Sequence, residues 1–327
     1  MNPRANKRLS RWKLSRYSVE AAGLRLLERL IPLLSLRTVR GLGRGLGWIA
    51  YYLLTRKRWL AHANLDIVFG DTKSRREKSA IARASFQNFA ATELTLFWAP
   101  RVTRQAAEQL VQQDAAELQR VRGLVARGKG AIFIGMHYGD WELLGLTSPF
   151  FGITANIVAR ELRNPKASAI VDRLRSASGQ QIVPRRGAVS KLLGALRRGE
   201  LITLLIDLNA PHGEGGIWVD LFGLSVLAST TAATLARRTG APIIPVAAEP
   251  LSGGRIRISW GGEITRGKGD NSSAEIQNIA QRCMHSCEAV IRAKPEYWLW
   301  AYKRWKYCPT AARERYPYYA KCADSSQ

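Results

Sequence analysis

Residues 131–142 read AIFIGMHYGDWE. Ala131 to Met136 form an unbroken apolar run, too short for a helix and lacking the alternation of a half-wet strand. The run therefore reads as a strand buried on both faces. His137 follows directly, and a helical pattern resumes from Trp141 to Leu146. Working outward, LITLLI at 201–206 is a second such run and ends on Asp207, and ITANIVA at 153–159 ends on Arg160. PIIPVAA at 242–248, RIRISW at 255–260 and a short extended piece at 181–183 complete the strands. Helical periodicity covers 57–69, 74–98, 104–127, 165–178, 189–198, 229–239 and 274–293. Ser74 and Glu77 fit a capping box at the start of the second, and Gly179, Gly199 and Gly240 end three others. Strands alternating with helices predict an α/β fold with a mostly parallel or mixed central sheet covered by helices.

The chain has 327 residues, enough for one large domain or two small ones. Ten Trp, ten Tyr, eight Phe and many aliphatics supply a core, which excludes a disordered chain. Four cysteines make no disulfide framework and suit a reduced compartment. The net charge of +25 implies an anionic partner: nucleic acid, an anionic membrane surface, or an acidic protein or phosphorylated ligand. Nucleic-acid binding would gather the basic residues on one face among stacking aromatics. Here they are dispersed along the chain, so no nucleic-acid partner is expected.

The N-terminus narrows the choice. Residues 1–16 carry Arg4, Lys7, Arg8, Arg11, Lys13 and Arg16 with no acid, and read as a flexible basic arm. In residues 17–56, Leu24, Leu27, Leu30, Ile31 and Leu34 form an apolar stripe at helical spacing, interrupted elsewhere by Arg25, Glu28 and Arg29. Neither apolar stretch reaches the ~20 residues of a spanning helix. With Trp48, Tyr51, Tyr52 and basic flanks, the segment reads as an amphipathic element at a membrane interface, against the plainer reading of a surface helix. Residues 57–310 then form the catalytic domain and 311–327 a tail, disordered from Ala323 to Gln327.

In open α/β sheets ligands sit beyond the carboxyl ends of the strands, where His137, Arg160 and Asp207 lie. With His137 at a strand end and a helix starting near Gly139, Glu142 falls in the first turn and can fold back to the imidazole. That gives a base able to take a hydroxyl proton and a carboxylate that fixes its tautomer. Asp140 is a rival partner. No Ser or Cys lies in the stretch, so no covalent nucleophile is suggested. His62 reads as structural and His212 as part of a loop. Cys283, His285 and Cys287 share a helix, but His285 points away from the cysteines, so no zinc site is expected. No glycine-rich nucleotide loop follows a strand, and neither metal nor cofactor is expected.

At GMHYGDWELLG (135–145) the chain resembles the lysophospholipid acyltransferase superfamily, whose signature is His-x4-Asp/Glu, and more narrowly the lipid A biosynthesis (lauroyl/myristoyl) acyltransferases. RKRWLAHANLDIVFG (56–70), ARELRNPKASAIVDRLRSASG (159–179), VPRRGAVSKLLGALRRGE (183–200), VDLFGLSVLASTTAATLARRTGAPIIPV (219–246) and PEYWLWAYKRWK (295–306) follow that family's order, covering about residues 20–307. The resemblance implies transfer of a fatty acyl chain from an acyl carrier protein or coenzyme A thioester, a co-substrate rather than a cofactor, to a hydroxyl of a glycolipid. It implies a place at the cytoplasmic face of a bacterial inner membrane. Carried over, His137 and Glu142 form the catalytic dyad, and Arg160 and Asp207 are substrate-binding. Arg160 is expected to hold a phosphate or help the oxyanion, and Asp207 to orient Arg160 or accept from a sugar hydroxyl. Leu208 stands where many members carry Gln, and HYGDWE is also similar to mannoside-acylating relatives. A coenzyme A-dependent phosphatidylinositol mannoside acyltransferase is therefore the alternative.

Overall fold

The computed structural model describes residues 11–265 and 272–322. Four helices come first: α1 (Arg11–Leu30), α2 (Leu36–Leu53), α3 (Thr55–Phe69) and α4 (Arg75–Thr95). The basic segment is thus helical from Arg11 onward, where a flexible arm to residue 16 was expected. Residues 1–10 and the 323–327 tail lie outside the described residues. The expected capping box is present: the Ser74 hydroxyl accepts from the Glu77 N–H and the Glu77 carboxylate accepts from the Ser74 N–H. The glycines of α2 let it lie against the α4 backbone. A Cβ on Gly43 would stand 2.5 Å from Ala91 Cα, and one on Gly47 2.4 Å from Phe86 O.

After these come α5 (Arg104–Leu110), β1 (Val111–Gln112), α6 (Ala115–Val125), β2 (Ala131–Gly135), α7 (Trp141–Thr147), β3 (Ala155–Ala159), α8 (Pro165–Arg175), β4 (Gln181–Pro184), α9 (Ala188–Arg197) and β5 (Leu201–Leu205). The chain continues through β6 (Gly216–Leu221), β7 (Leu224–Ser229), α10 (Thr231–Thr239), β8 (Ile243–Pro250), β9 (Ile256–Trp260), α11 (Ser272–Ala293), β10 (Tyr307–Cys308) and β11 (Lys321–Cys322). The single helix expected over 104–127 is two, because Val111 and Gln112 pair with β9 and Asp114 caps a fresh helix through the N–H groups of Ala116 and Glu117. The β6–β7 hairpin was not foreseen. Its turn places Phe222 at φ 58° and Gly223 at φ 76°, and positive φ is uncommon for a bulky residue such as Phe.

The main sheet has seven strands in the order β1-β9-β8-β2-β5-β3-β4. Strands β8, β2, β5, β3 and β4 are parallel, β9 runs antiparallel to β8, and β1 is parallel to β9. Side chains alternate between two cores, as the period of two requires. Ile132, Ile134, Ile202 and Leu204 pack under α9–α11 and the Trp298–Trp305 segment, whereas Phe133, Leu201, Ile244 and Val246 pack toward α7 and α8. Strands β2 and β5 are central neighbours in a fixed register, Ala131 opposite Leu201 and Gly135 opposite Leu205. Two residues beyond that pairing, His137 and Asp207 leave the sheet at the same height.

Candidate active site

His137 is held twice by one carboxylate. Its backbone N–H donates to Asp207 Oδ2 at 3.0 Å, and its ring Nδ1 lies 2.9 Å from Asp207 Oδ1. Trp298, from the C-terminal segment, donates its indole N–H to the same Oδ2 at 3.0 Å. Burial alone would raise the Asp207 carboxyl, but the imidazole charge, the ring hydrogen bond and the Trp298 donor hold it below its ordinary value. An ionised carboxylate only accepts, so Nδ1 carries the hydrogen and Nε2 is left with its lone pair. Burial pulls the imidazole down, but Asp207 together with the Glu93 and Glu142 carboxylates outweighs it, so His137 is more basic than a free histidine.

The turn after β2 is built so that this geometry is rigid. Gly139 has φ +63°, and a Cβ there would lie 1.7 Å from Ala248 O. Its carbonyl accepts from Asn88 Nδ2 at 2.8 Å and Thr92 Oγ1 at 2.9 Å, both on α4, while its N–H donates to Tyr297 O at 3.0 Å. Asp140 caps α7 by accepting from the Leu143 N–H at 3.0 Å, and its other oxygen meets Arg40 Nη1 at 3.4 Å. The rival partner for His137 is therefore committed elsewhere.

Glu142 departs from the expected placement. It is the second residue of α7 and is buried, and its carboxylate is gripped by Arg175 from α8, with Nε at 3.1 and 3.2 Å from the two oxygens. Trp141 donates to it at 3.3 Å. Among the described residues, none of its hydrogen bonds goes to His137. The reason is the helix start: with Asp140 as cap, the Glu142 side chain turns toward α8 rather than back over the strand end. Its charge still reaches the imidazole through the low-dielectric interior and makes it more basic. Arg160 lies exposed at the end of β3 and lines the same cavity. It is not bonded to Asp207, whose two oxygens serve His137 and Trp298, so the expected Arg160–Asp207 pair does not form.

His137 and Glu142 line a cavity of about 1010 Å³. It opens at the carboxyl ends of the strands, with Phe133, Ala155, Val246 and Trp260 on the α7 side and Leu192, Leu204 and Ile206 on the α9 side. The mouth carries Arg160, Arg185 and Arg186. An apolar slot entered through arginines, with a half-buried imidazole at its edge, suits a long-chain ligand bearing an anionic head. Elsewhere, His62 Nε2 lies 3.2 Å from Tyr51 Oη and His212 Nδ1 lies 3.0 Å from Gly216 O. Cys283 and Cys287 are buried, and burial raises both thiols.

Residues 7–307 match the family described as bacterial lipid A biosynthesis acyltransferase. The chain belongs to that family. The acyltransferase is 24% identical over 291 residues to the lipid A biosynthesis lauroyltransferase of Escherichia coli K12, covering 84% of this chain and 87% of the relative. It is 23% identical over 286 residues to the lipid A biosynthesis palmitoleoyltransferase of the same strain and, at the same identity and length, to the lipid A biosynthesis acyltransferase of Shigella flexneri, each with 84% and 87% covered. Within the acyltransferase, Asp207 as the imidazole's partner was missed although its signal was there: AIFIGMH and LITLLID are equal-length runs with a polar residue at the same step. Arg175 and Trp298 carried no comparable signal, since each reaches the site from a distant helix or segment.

Proposed function

We propose that the enzyme moves a fatty acyl chain from an acyl carrier protein or coenzyme A thioester to a hydroxyl of a lipid A-type glycolipid, with His137 as general base and no covalent intermediate. The observation that carries this is the Asp207-oriented imidazole at the edge of the apolar cavity. The acceptor hydroxyl oxygen attacks the thioester carbonyl while Nε2 takes its proton. The tetrahedral intermediate expels the thiolate, the imidazolium returns the proton to sulfur, and an ester and a free thiol leave. Asp207 holds the tautomer and steadies the imidazolium. Glu142, paired with Arg175, adds negative field and fixes the α7–α8 wall. The acyl chain fills the slot between the sheet and α7. Arg160 and its neighbours at the mouth hold phosphate, on the acceptor or on the donor's carrier.

The helices α1–α3 support a seat on the cytoplasmic face of the inner membrane. Leu33, Leu53 and Trp59 are 76, 74 and 67% exposed, and Leu46, Trp48 and Ile49 are also exposed. Arg37, Arg44, Arg56 and Arg58 lie among them. Among the described residues no helix is long and apolar enough to cross a membrane. We read the segment as lying in the interface, its apolar face in lipid and its arginines among anionic headgroups.

The test is transfer in detergent micelles, with acyl carrier protein and coenzyme A donors compared, a lipid A precursor as acceptor, and the product read by mass spectrometry. His137→Ala and Asp207→Asn are each expected to lose ~10²–10⁴ in rate while remaining folded. Near-normal turnover in either would remove that residue from the mechanism.

A further inference from the structure

Glu93 is a carboxyl group with no structural employment. It lies in the last turn of α4, where the helix dipole presents its negative end and a carboxylate is unfavourable. Among the described residues, no hydrogen bond or ion pair ties its side chain down. Yet α4 is fastened to the catalytic turn along this same face. Asn88 and Thr92 grip the Gly139 carbonyl, and Phe89, one turn before Glu93, packs its ring 5.8 Å from Trp141. Trp141 in turn stands edge-on to the His137 imidazole, with ring centres 5.4 Å apart. Glu93 lines the cavity with His137, Glu142 and Arg175.

We propose that Glu93 is a positioning residue for the acyl transfer described above, its carboxyl supplying from the α4 wall the negative field that stabilises the His137 imidazolium once the hydroxyl proton has arrived. The charges it meets agree. Burial and the nearby Glu142 carboxylate push Glu93 up to about 7, while Arg175 and His137 pull it down. The coupling is reciprocal, because Glu93 in turn makes His137 more basic. From α2, Arg40 faces Asp140. At the 295–297 turn, the Glu296 and Glu249 charges act on Tyr138 and Tyr297. Asp207 lies beyond the imidazole. A carboxyl that ionises near neutrality beside the base is thus poised to answer a proton arriving on His137.

The test is Glu93→Gln, which keeps the shape of the protonated group and removes the charge. Its fold is checked by circular dichroism, with Glu93→Met as a second neutral variant and Glu93→Asp as the charged control. The pH–rate profile of transfer is measured, and the His137 imidazole is titrated by NMR in detergent without substrates. The neutral variants are expected to lose rate about tenfold at the plateau. Their acid limb and the His137 titration should both move to lower pH by about one unit, the scale of one charge acting across a partly wet cavity. Asp is expected to restore most of both shifts. An equal loss at every pH with an unmoved His137 titration would make Glu93 structural only and overturn the proposal. If the wild-type protein transfers no acyl chain, the proposed reaction fails instead, and the substrate-free titration still decides whether Glu93 acts on the imidazole.

Discussion

At the scale of single residues, the His137 imidazole is set by two hydrogen bonds to one carboxylate. Trp298 makes the second Asp207 oxygen an acceptor of both a backbone N–H and an indole. Trp298→Phe keeps an aromatic ring but removes part of the buried indole with its donor to a charged group, the donor alone being a loss of about 1.5–3 kcal/mol. Asp207 sits below its ordinary value in the folded chain, so its stabilisation is present above the unfolded carboxylate range and is lost as pH falls through the lowered value. The variant should raise the folded-state value of Asp207. Acid unfolding is therefore expected to begin at a higher pH than in wild type, as followed by tryptophan fluorescence. An unchanged acid transition would show that the indole contributes nothing to the ionised form.

At the scale of elements, α7 shapes the slot. Gly145 lies one turn beyond Glu142, lines the cavity, and would place a Cβ with nothing within 4 Å. A glycine in a helix interior costs ~1 kcal/mol against alanine, so its presence there makes room. Gly145→Leu is expected to keep transfer of short acyl thioesters and to lose the longer ones by tenfold or more, read as product distribution from a mixed donor pool. An unchanged distribution would place the chain elsewhere. Elements were also the most legible level of the sequence. Buried strands 131–136, 201–206 and 242–248 show as largely apolar runs, and each main-sheet strand except two-residue β1 was foreseen. Hidden features depended on partners far along the chain. β1 exists only because β9 lies beside it, and Glu142, turned toward α8 by the Asp140-capped helix start, is held there by Arg175. Spacing of five residues singled out His137 but could not say which carboxylate would reach it.

At the scale of the whole molecule, a charge of +25 and an apolar face on α1–α3 act together. Replacing Leu46, Ile49 and Leu53 with Ser is expected to cut partitioning onto vesicles containing anionic lipid by tenfold or more, since each buried aliphatic contributes ~1.5–3 kcal/mol. Wild-type binding is expected to weaken with salt, as headgroup attraction is screened. Co-flotation with vesicles reads both, and undiminished binding of the triple variant would place the contact on another surface. The order of the chain adds one more consequence. Asn64 on α3 donates to the carbonyls of Trp300 and Tyr302, and Ser85 on α4 binds the Trp298 carbonyl. The last third of the polypeptide thus clasps the first while completing the base's hydrogen bonds. During synthesis the helices that expose this apolar face emerge long before Trp298 does. On the proposed membrane seat, a nascent chain meets the bilayer before its imidazole is harnessed, and the site is complete only once the Trp298 segment has been made.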